Sequence, residues 1–216
     1  MISKNLKSRI YTSLSLLILI ALIAKFNVIS VFSLIVLGVF SLIEFFEIQK
    51  KIFKNKYYIY LFAIIFSTYV FIFCIAFYYF LNIYELKIIL FALLFTCIAS
   101  DVGGYFFGRM LKGPKLTKIS PNKTISGAIG SIFFSSLIFS IFVFYSTNNF
   151  NFKILVISSI TSLGCQIGDL FFSYLKRKAK LKDTGKFFPG HGGVLDRLDG
   201  IFLGVPIGFI SLVQLY

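Results

Sequence analysis

Long apolar runs separated by short charged connectors dominate this sequence of 216 residues. A helix needs about 20 consecutive apolar residues to cross the hydrocarbon core of a bilayer, and runs of that length recur along the whole chain. The composition agrees, because 58% of the residues are hydrophobic and the mean hydropathy is +0.90. The pattern predicts an all-α polytopic membrane protein and excludes a water-soluble globular fold.

Seven membrane-spanning helices are the simplest division of the chain. The first apolar run follows Lys4, Lys7 and Arg9, as in a signal peptide, but no small-residue cleavage site comes after it and a second run starts at Val28. We therefore interpret it as an uncleaved span. The third span is long enough to contain a break. The predicted spans are 9–25, 27–46, 57–82, 87–109, 127–147, 154–175 and 198–215.

The basic residues predict the orientation of these spans. With a cytoplasmic N-terminus, 19 of the 22 Lys and Arg residues lie on the cytoplasmic side, and only Lys25, Lys87 and Lys153 lie on the other. Such asymmetry is typical of membrane proteins and supports both seven spans and a cytoplasmic N-terminus. The net charge of +14 therefore reflects orientation and contact with anionic headgroups. No basic segment carries a recognisable nucleic-acid module, so we expect no nucleic-acid partner.

The same topology places the candidate catalytic carboxylates on one face of the membrane. Glu44 and Glu47 also end a span on that face, but four lysines follow them, which favours a solvated helix end. No repeat or linker divides the chain, so we expect one membrane domain over residues 1–216. Within it, residues 1–90 would form a scaffold, and 91–216 would supply the catalytic helices and loops. The candidate carboxylates are Asp101, Asp169, Asp196 and Asp199.

The sixth predicted span carries an edge of small and polar residues. Residues three or four apart lie on one face of a helix. Close helix packing explains the serines of this edge. It does not explain Asp169, because an ionisable group inside a span is costly and by default functional. The residues of the edge are Ser158, Ser162, Cys165, Asp169, Ser173 and Lys176.

Asp196 and Asp199 project together from the start of the seventh span, because they are three residues apart. The preceding residues 189–193 have little side-chain bulk, so backbone N–H groups can approach a ligand there, and a helix N-terminus favours anions. Carboxylates beside clustered Lys and Arg suit a metal ion together with phosphate. An ordinary helix cap is the alternative.

The connector before the fifth span allows two interpretations. Ser120 followed by Pro121 is typical of a helix N-cap. Lys123 and free backbone N–H groups would instead suit a phosphate, and the two interpretations stay open. The glycines after Asp101 permit close helix contact, and those at 200, 204 and 208 indicate packing alone. His191 is the only histidine, for which a positioning contact is a commoner role than a base.

The segment from Ser173 to Asp199 resembles the signature of the phosphatidate cytidylyltransferase family, the CDP-diacylglycerol synthases. It contains Ser, Lys-Arg, Lys-Asp, Pro-x-His-Gly-Gly and Asp-Arg-x-Asp at the family's spacings. Residues 168–170 and 101–127 are similar to the same family. Phe172 departs from the pattern, because the family commonly has Glu there, and a small hydroxyl residue is replaced at position 102.

The resemblance implies an enzyme of phospholipid biosynthesis that transfers CMP from CTP to phosphatidate and gives CDP-diacylglycerol and pyrophosphate. The implied cofactor is Mg²⁺, with room for a second divalent or monovalent cation. Asp169, Asp196 and Asp199 would be the metal ligands. The implied catalytic residues are Asp169, Lys176, Arg177, His191, Asp196, Arg197 and Asp199. The implied substrate-binding residues are Asp101, Ser120, Lys123, Thr124, Ser173, Lys182, Asp183, Gly192 and Gly193.

Elementary chemistry is consistent with such a reaction. A phosphate monoester is already anionic near pH 7, so it needs no base in order to attack CTP. The reaction does need its negative charges neutralised and its reacting groups aligned. Lys176, Arg177 and Arg197 would neutralise phosphates, and His191 would position one. At the start of the fifth span, a phosphate would be held by Ser120, Lys123 and Thr124.

The expected partners are CTP, phosphatidate and the lipid bilayer, with a homodimer as a further expectation. The expected location is the bacterial inner (plasma) membrane, with the active site facing the cytoplasm. One alternative is a CTP-dependent lipid kinase acting on a polyprenol or phytol-like alcohol, which would need a general base. A transporter is another, but it would place its coupling carboxylates at mid-depth and not at one face.

Overall fold

The computed structural model describes residues 14–15, 18–117, 119–185, 187 and 192–215. In this part of the chain the regular secondary structure is helical, apart from isolated bridge residues, which include the antiparallel pair Lys115 and Thr124. The all-α fold class is therefore confirmed. The helices are α1 at residues 18–25, α2 at Asn27–Ile52, α3 at Lys56–Asn82, α4 at Tyr84–Leu111, α5 at Ile125–Thr147, α6 at Phe152–Lys178 and α7 at Leu195–Leu215.

Among the described residues, six helices, α2 to α7, are long and apolar enough to cross a membrane. The chain is an integral membrane protein, as the apolar runs predicted. Helix α3 continues without a break over 27 residues. The first predicted span, 9–25, lies only partly within the described residues, of which 14–15 and 18–25 are helical. The helices extend beyond several predicted spans because charged residues at their ends remain helical.

The chain forms two compact units. The first unit consists of Met1–Leu86 and Leu175–Leu198, and the second consists of Lys87–Tyr174 and Asp199–Tyr216. The last residues of α6, the first turn of α7 and the loop between them therefore belong to the first unit. The predicted division into scaffold and catalytic parts near residue 90 stays a prediction.

Helices α2 and α3 pack antiparallel in the first unit. Near the end of α2, Phe45 stacks on Phe66 with ring centroids 4.0 Å apart. Nearer its start, the carbonyl of Leu34 accepts a hydrogen bond from the thiol of Cys74 at 3.9 Å. Asn55 begins α3, because its side chain accepts a hydrogen bond from the backbone N–H two residues later. Helix α3 exposes apolar side chains suited to lipid, among them Ile64, Ile65, Phe71 and Ile72.

Glycines allow close helix contacts in the second unit. A Cβ on Gly103 would lie 2.6 Å from the carbonyl oxygen of Gly130, so α4 and α5 could not approach as closely with larger residues. On α7, a Cβ on Gly204 would lie 3.2 Å from the Cβ of Cys165. These contacts confirm the packing role predicted for the glycines of the fourth and seventh spans.

The serines on the edge of α6 hydrogen-bond to neighbouring helices of the second unit. The hydroxyls of Ser162 and Ser100 lie 2.9 Å apart, and Ser158 donates to Ser136 on α5 at 2.9 Å. Both Ser158 and Ser162 are fully buried. Packing therefore accounts for this part of the edge, as predicted, and Asp169 is the residue that needs a separate explanation.

Candidate functional site

In the first unit, helix α6 ends at the basic residues that begin the predicted signature. The N–H of Leu181 donates to the carbonyl of Lys176 at 2.8 Å, and Lys180 adopts a left-handed conformation with φ of 58°. This geometry is typical of a helix C-terminus and turns the chain out of α6. The turn leads into the loop that returns to α7.

Lys176 and Asp196 form an ion pair across this loop. The Nζ of Lys176 lies 2.6 Å from Oδ1 of Asp196, and the two side chains are only 12% and 8% exposed. A charge-assisted hydrogen bond of this kind is short and strong, whereas removal of one partner leaves the other charge buried. The pair fixes the end of α6 against the first turn of α7.

The second carboxylate oxygen of Asp196 binds the backbone of the loop. Oδ2 accepts hydrogen bonds from the N–H of Thr184 at 2.8 Å and from the N–H of Gly193 at 3.0 Å. A helix cap accepts from N–H groups that follow it in sequence, whereas both of these donors precede Asp196. The carboxylate therefore fastens two separate parts of the loop to α7.

Glu44 is buried, and the expectation of a solvated helix end at this position was wrong. It is 5% exposed, and its Oε1 accepts from the N–H of Val194 at 2.9 Å. Its Oε2 accepts from the N–H of Leu195 at 2.9 Å and from the hydroxyl of Thr184 at 2.6 Å. Glu47, one turn later, is exposed as expected. The missed signal is that Glu44 lies inside the apolar part of α2, where an ionisable group calls for a partner.

Thr184 connects the carboxylates of Glu44 and Asp196 in the first unit. Its hydroxyl donates to Glu44 and its backbone N–H donates to Asp196, and the residue is 4% exposed. Sequence reasoning did not single out Thr184, because no motif distinguishes it from other threonines in loops. The hydrogen bonds tie α2 to the loop and thereby help to place the first turn of α7.

Gly193 lies in a space that admits no side chain. A Cβ there would lie 2.5 Å from Oε1 of Glu44 and would also collide with the hydroxyl of Thr184. Gly192, with φ of +85°, has a conformation that favours glycine. These glycines thus shape the loop, whatever they contribute to binding. His191 lies outside the described residues.

In the second unit, Asp169 has a partner from the connector before α5. Its Oδ2 forms an ion pair with Lys123, and Oδ1 accepts a hydrogen bond from the hydroxyl of Ser173 at 3.2 Å. The side chains of Lys123 and Asp169 are 26% and 29% exposed. The structure thus brings together three predicted site residues, at a place that solvent can reach.

Thr124 begins α5, so the interpretation of Ser120 as its N-cap was wrong. The hydroxyl of Thr124 accepts from the N–H of Gly127 at 3.1 Å, and α5 starts at the next residue, Ile125. Ser120 instead begins a turn, because its carbonyl accepts from the N–H of Lys123 at 3.0 Å. The bridge between Lys115 and Thr124 keeps this turn outside the helix. The turn leaves Lys123 directly before the cap, where its side chain reaches Asp169.

Asp199 lies on α7 at the point where that helix contacts α6 in the second unit. Its backbone carbonyl occupies the space that a Cβ on Gly168, the residue before Asp169, would need. Its Oδ1 accepts a hydrogen bond from the N–H of Gly200 at 2.8 Å. Asp101 is exposed on α4. The close approach at Gly168 therefore explains why a glycine precedes Asp169.

Phe172 is part of the apolar packing of the second unit. It is 3% exposed, and its ring centroid lies 6.4 Å from that of Phe202 on α7. A carboxylate at this position would have to be buried among aromatic rings, which is costly without a partner. The structure thus gives the departure at position 172 a packing role.

Several predicted site residues are exposed on the surface of the first unit. The hydrogen bonds and ion pairs described above assign them no role. These residues are Arg177, Lys182, Asp183 and Arg197.

The donor chemistry of the aspartates suits a hard cation. No group of three or more His, Cys, Asp or Glu side chains within the described ranges could hold a metal ion by itself. Mg²⁺ does not require one, because it usually binds one or two carboxylates together with water and substrate phosphates. Asp169 fits this pattern best, since its carboxylate is partly exposed and already pairs with a cation.

Sequence comparisons agree with this combination of membrane helices, carboxylates and lysines. Residues 2–215 match the sequence profile described as the Cytidylyltransferase family. The match covers nearly the whole chain, and the chain belongs to this family.

Bacterial relatives carry a more specific name. The chain is 44% identical over 112 residues to a phosphatidate cytidylyltransferase of Helicobacter pylori (strain ATCC 700392 / 26695). These matched residues are 52% of this chain and 42% of the relative. The chain is 40% identical over 132 residues to one of Staphylococcus haemolyticus and 42% identical over 131 residues to one of Staphylococcus aureus (strain COL), each covering 60% of this chain and 50% of the relative. The matched part is therefore about half the length of these relatives or less.

Proposed function

We propose that the chain transfers CMP from CTP to phosphatidate and forms CDP-diacylglycerol and pyrophosphate. The observation that carries this proposal is the family match over residues 2–215, together with relatives named for this reaction at 40–44% identity. The carboxylate–lysine pairs at Asp169 and Asp196 support it further, because phosphate chemistry requires such charges.

The proposed reaction needs no proton transfer from its nucleophile. An anionic oxygen of the phosphatidate phosphate forms a bond to the α-phosphorus of CTP. The bond between that phosphorus and the oxygen bridging to the β-phosphorus breaks, and pyrophosphate leaves with the electron pair. The main barrier is the approach of two anions, which cationic side chains lower by neutralising charge.

Lysines near the aspartates would bind the phosphates. Lys123 is partly exposed and reaches Asp169 from the turn before α5, so its ammonium can exchange between that carboxylate and a phosphate. Lys176 is more buried and would act mainly by fixing Asp196. Arg177 and Arg197 are exposed and would meet the charges of an arriving nucleotide.

Mg²⁺ is the proposed cofactor, with Asp169, Asp196 and Asp199 as its ligands. When bound, it would neutralise negative charge on the phosphates of CTP and of the leaving pyrophosphate. The proposal is supported by the carboxylate donors described above and by the usual coordination of Mg²⁺. A second divalent or monovalent cation is compatible with the same donors.

The proposed orientation has the N-terminus and the site residues in the cytoplasm, in a bacterial inner membrane. Its support is the asymmetric distribution of Lys and Arg. Single cysteines introduced at Asn55 and Asn149 in a variant without the native cysteines would test it in sealed inside-out vesicles. An impermeant maleimide should label position 55 and not position 149, and the reverse pattern would contradict the proposal.

A homodimer is also proposed, and light scattering of the detergent-solubilised protein measures its mass.

An activity assay tests the proposed function directly. Purified protein is incubated with CTP, phosphatidate and Mg²⁺, and the lipid extract is analysed by mass spectrometry. We expect CDP-diacylglycerol in the lipid fraction and an equal amount of pyrophosphate in the aqueous fraction. Both products should be absent when phosphatidate is replaced by diacylglycerol. No liponucleotide in the complete reaction would contradict the proposal.

A further inference from the structure

A basic pocket lies where α2 ends and α3 begins, within the first unit. It has a volume of about 430 Å³. Its apolar wall includes Phe46 at the end of α2 and Ile59 and Tyr60 at the start of α3. None of the residues lining it is among the predicted site residues. Its cations are Lys50, Lys51, Lys54 and Lys56.

Two aromatic rings that line this pocket, Phe46 and Phe53, each lie beside an ammonium group. The Nζ of Lys50 lies 4.4 Å from the ring centroid of Phe46, and the Nζ of Lys178 lies 5.5 Å from that of Phe53. Within the described chain, none of the four pocket lysines forms an ion pair with a carboxylate. A cation over an aromatic ring keeps its N–H donors available for other acceptors. The pocket therefore has unneutralised positive charge and free donors.

The position of the pocket determines which anion can reach it. Helices α2 and α3 are both candidate membrane spans, and the pocket lies at their adjoining ends. The ends of spans lie at the level of lipid headgroups, where the phosphates of anionic phospholipids are concentrated. Helix α3 also exposes a long apolar surface suited to an acyl chain. Both the charge and the apolar surroundings thus match one phospholipid molecule.

We propose that this pocket binds the phosphate headgroup of an anionic phospholipid. The lysines donate hydrogen bonds to the phosphate oxygens, and the acyl chains lie along α3. Orientation of the spans requires lysines in this connector, but it does not require a pocket with aromatic walls. The proposal is independent of the proposed catalytic function, because binding at this pocket needs no turnover.

Short-chain lipids test the proposal in detergent solution. Dioctanoyl phosphatidylglycerol is titrated into the purified full chain, and binding is followed by microscale thermophoresis. This probe is anionic but has no phosphate monoester, so it does not imitate phosphatidate. We expect dioctanoyl phosphatidylcholine and free glycerol phosphate each to bind at least tenfold more weakly. Equal binding of the zwitterionic lipid, or of free glycerol phosphate, would overturn the assignment to an anionic lipid.

Matched lysine variants localise the binding. Lys50→Gln combined with Lys54→Gln should weaken phosphatidylglycerol binding roughly thirtyfold, equivalent to about 1 kcal/mol for each lysine. Lys112→Gln combined with Lys115→Gln removes the same charge from exposed positions elsewhere and should change binding less than threefold. Lys50→Arg combined with Lys54→Arg should retain binding and show that the loss is not due to misfolding. Equal losses in both glutamine pairs would overturn the proposal in favour of a general charge effect.

Discussion

The hydroxyl of Thr184 donates a 2.6 Å hydrogen bond to the buried carboxylate of Glu44, while its backbone N–H binds Asp196. Through this one residue, α2 is connected to the first turn of α7. Glu44 also accepts hydrogen bonds from two backbone N–H groups, so these three hydrogen bonds all come from the loop and the start of α7. The loop that carries much of the predicted signature therefore depends on a residue that is distant in sequence.

Glu44→Gln should destabilise this loop. An amide group would replace one carboxylate oxygen and would face the N–H of Val194 or Leu195, so a buried donor would lose its acceptor. We expect a loss of about 2 kcal/mol in local stability. Hydrogen exchange at these two amides should become about 30-fold faster, because local opening governs their exchange. Mass spectrometry of peptides covering residues 192–198 measures it.

Glu47→Gln is the matched control, because Glu47 lies one turn later on α2 and is exposed. Its exchange pattern should equal that of the unmodified chain. If the Gln variants at positions 44 and 47 behaved alike, the hydrogen bonds of Glu44 would contribute nothing to the loop.

Gly193→Ala should disrupt the same loop for a steric reason. Its added methyl group would overlap Thr184 and the carboxylate of Glu44. Gly38→Ala makes the same chemical change on α2, where a Cβ would lie 3.5 Å from Sγ of Cys74, an ordinary contact. We expect a lower thermal unfolding midpoint and at least a tenfold loss of cytidylyl transfer for Gly193→Ala. The variant at position 38 should unfold at the same temperature or higher, since alanine favours a helix. Comparable behaviour of the two variants would contradict the packing described here.

Lys123→Gln separates a role in substrate binding from a role in stability. The ion pair with Asp169 is partly exposed, and such pairs contribute less than about 1 kcal/mol to stability. The unfolding midpoint should therefore change little, while KM for CTP rises or kcat falls at least tenfold. Lys112→Gln changes an exposed residue of the same connector and should leave the unfolding midpoint and the kinetic constants unchanged. Full activity of the Lys123 variant would show that its ion pair has no part in the reaction.

His191→Ala should cost less activity than replacement of the aspartates. The proposed nucleophile is already anionic, so the reaction needs no general base. We expect kcat to fall by about tenfold or less, as for a positioning contact, with an unchanged pH profile between pH 7 and 9. A loss as complete as that of Asp169→Asn, or a new pH dependence, would indicate proton transfer by His191.

Much of the fold could be predicted because run length and small-residue spacing are local properties of the sequence. The six long helices fall where the apolar runs predicted them, and the glycines at 200, 204 and 208 pack as expected. The start of α5 could not be assigned in this way, because Ser120 and Thr124 are both good cap residues. A backbone bridge between Lys115 and Thr124 keeps the turn at Ser120 outside the helix, so that α5 begins after Thr124. Local sequence does not predict this bridge.

At the candidate site, the environment of Glu44 also could not be predicted from local sequence. Its partners lie 140 to 151 residues later in the chain, so its burial depends on tertiary structure. The following lysines suggested solvent, whereas the apolar residues around it pointed to a buried partner. Asp169 was singled out correctly as needing a partner, because the cost of a charge inside a span does not depend on knowing the fold.

Asp169→Asn is the most informative single substitution at the proposed site. Its side chain is 29% exposed, so the change should not unfold the protein, whereas Asp196→Asn would leave Lys176 buried without its counter-charge. We expect both variants to insert into the membrane and to lose turnover. More than a few per cent of the original activity in Asp169→Asn would contradict its proposed role as a metal ligand.

The most direct measurement of the proposed function follows the fate of the two ends of CTP. Purified protein with phosphatidate and Mg²⁺ receives CTP labelled at the α-phosphorus in one reaction and at the γ-phosphorus in another. CMP transfer predicts that label from the α-position enters the lipid fraction and that label from the γ-position leaves as pyrophosphate. Lipid labelled from the γ-position, or from neither position, would contradict the account.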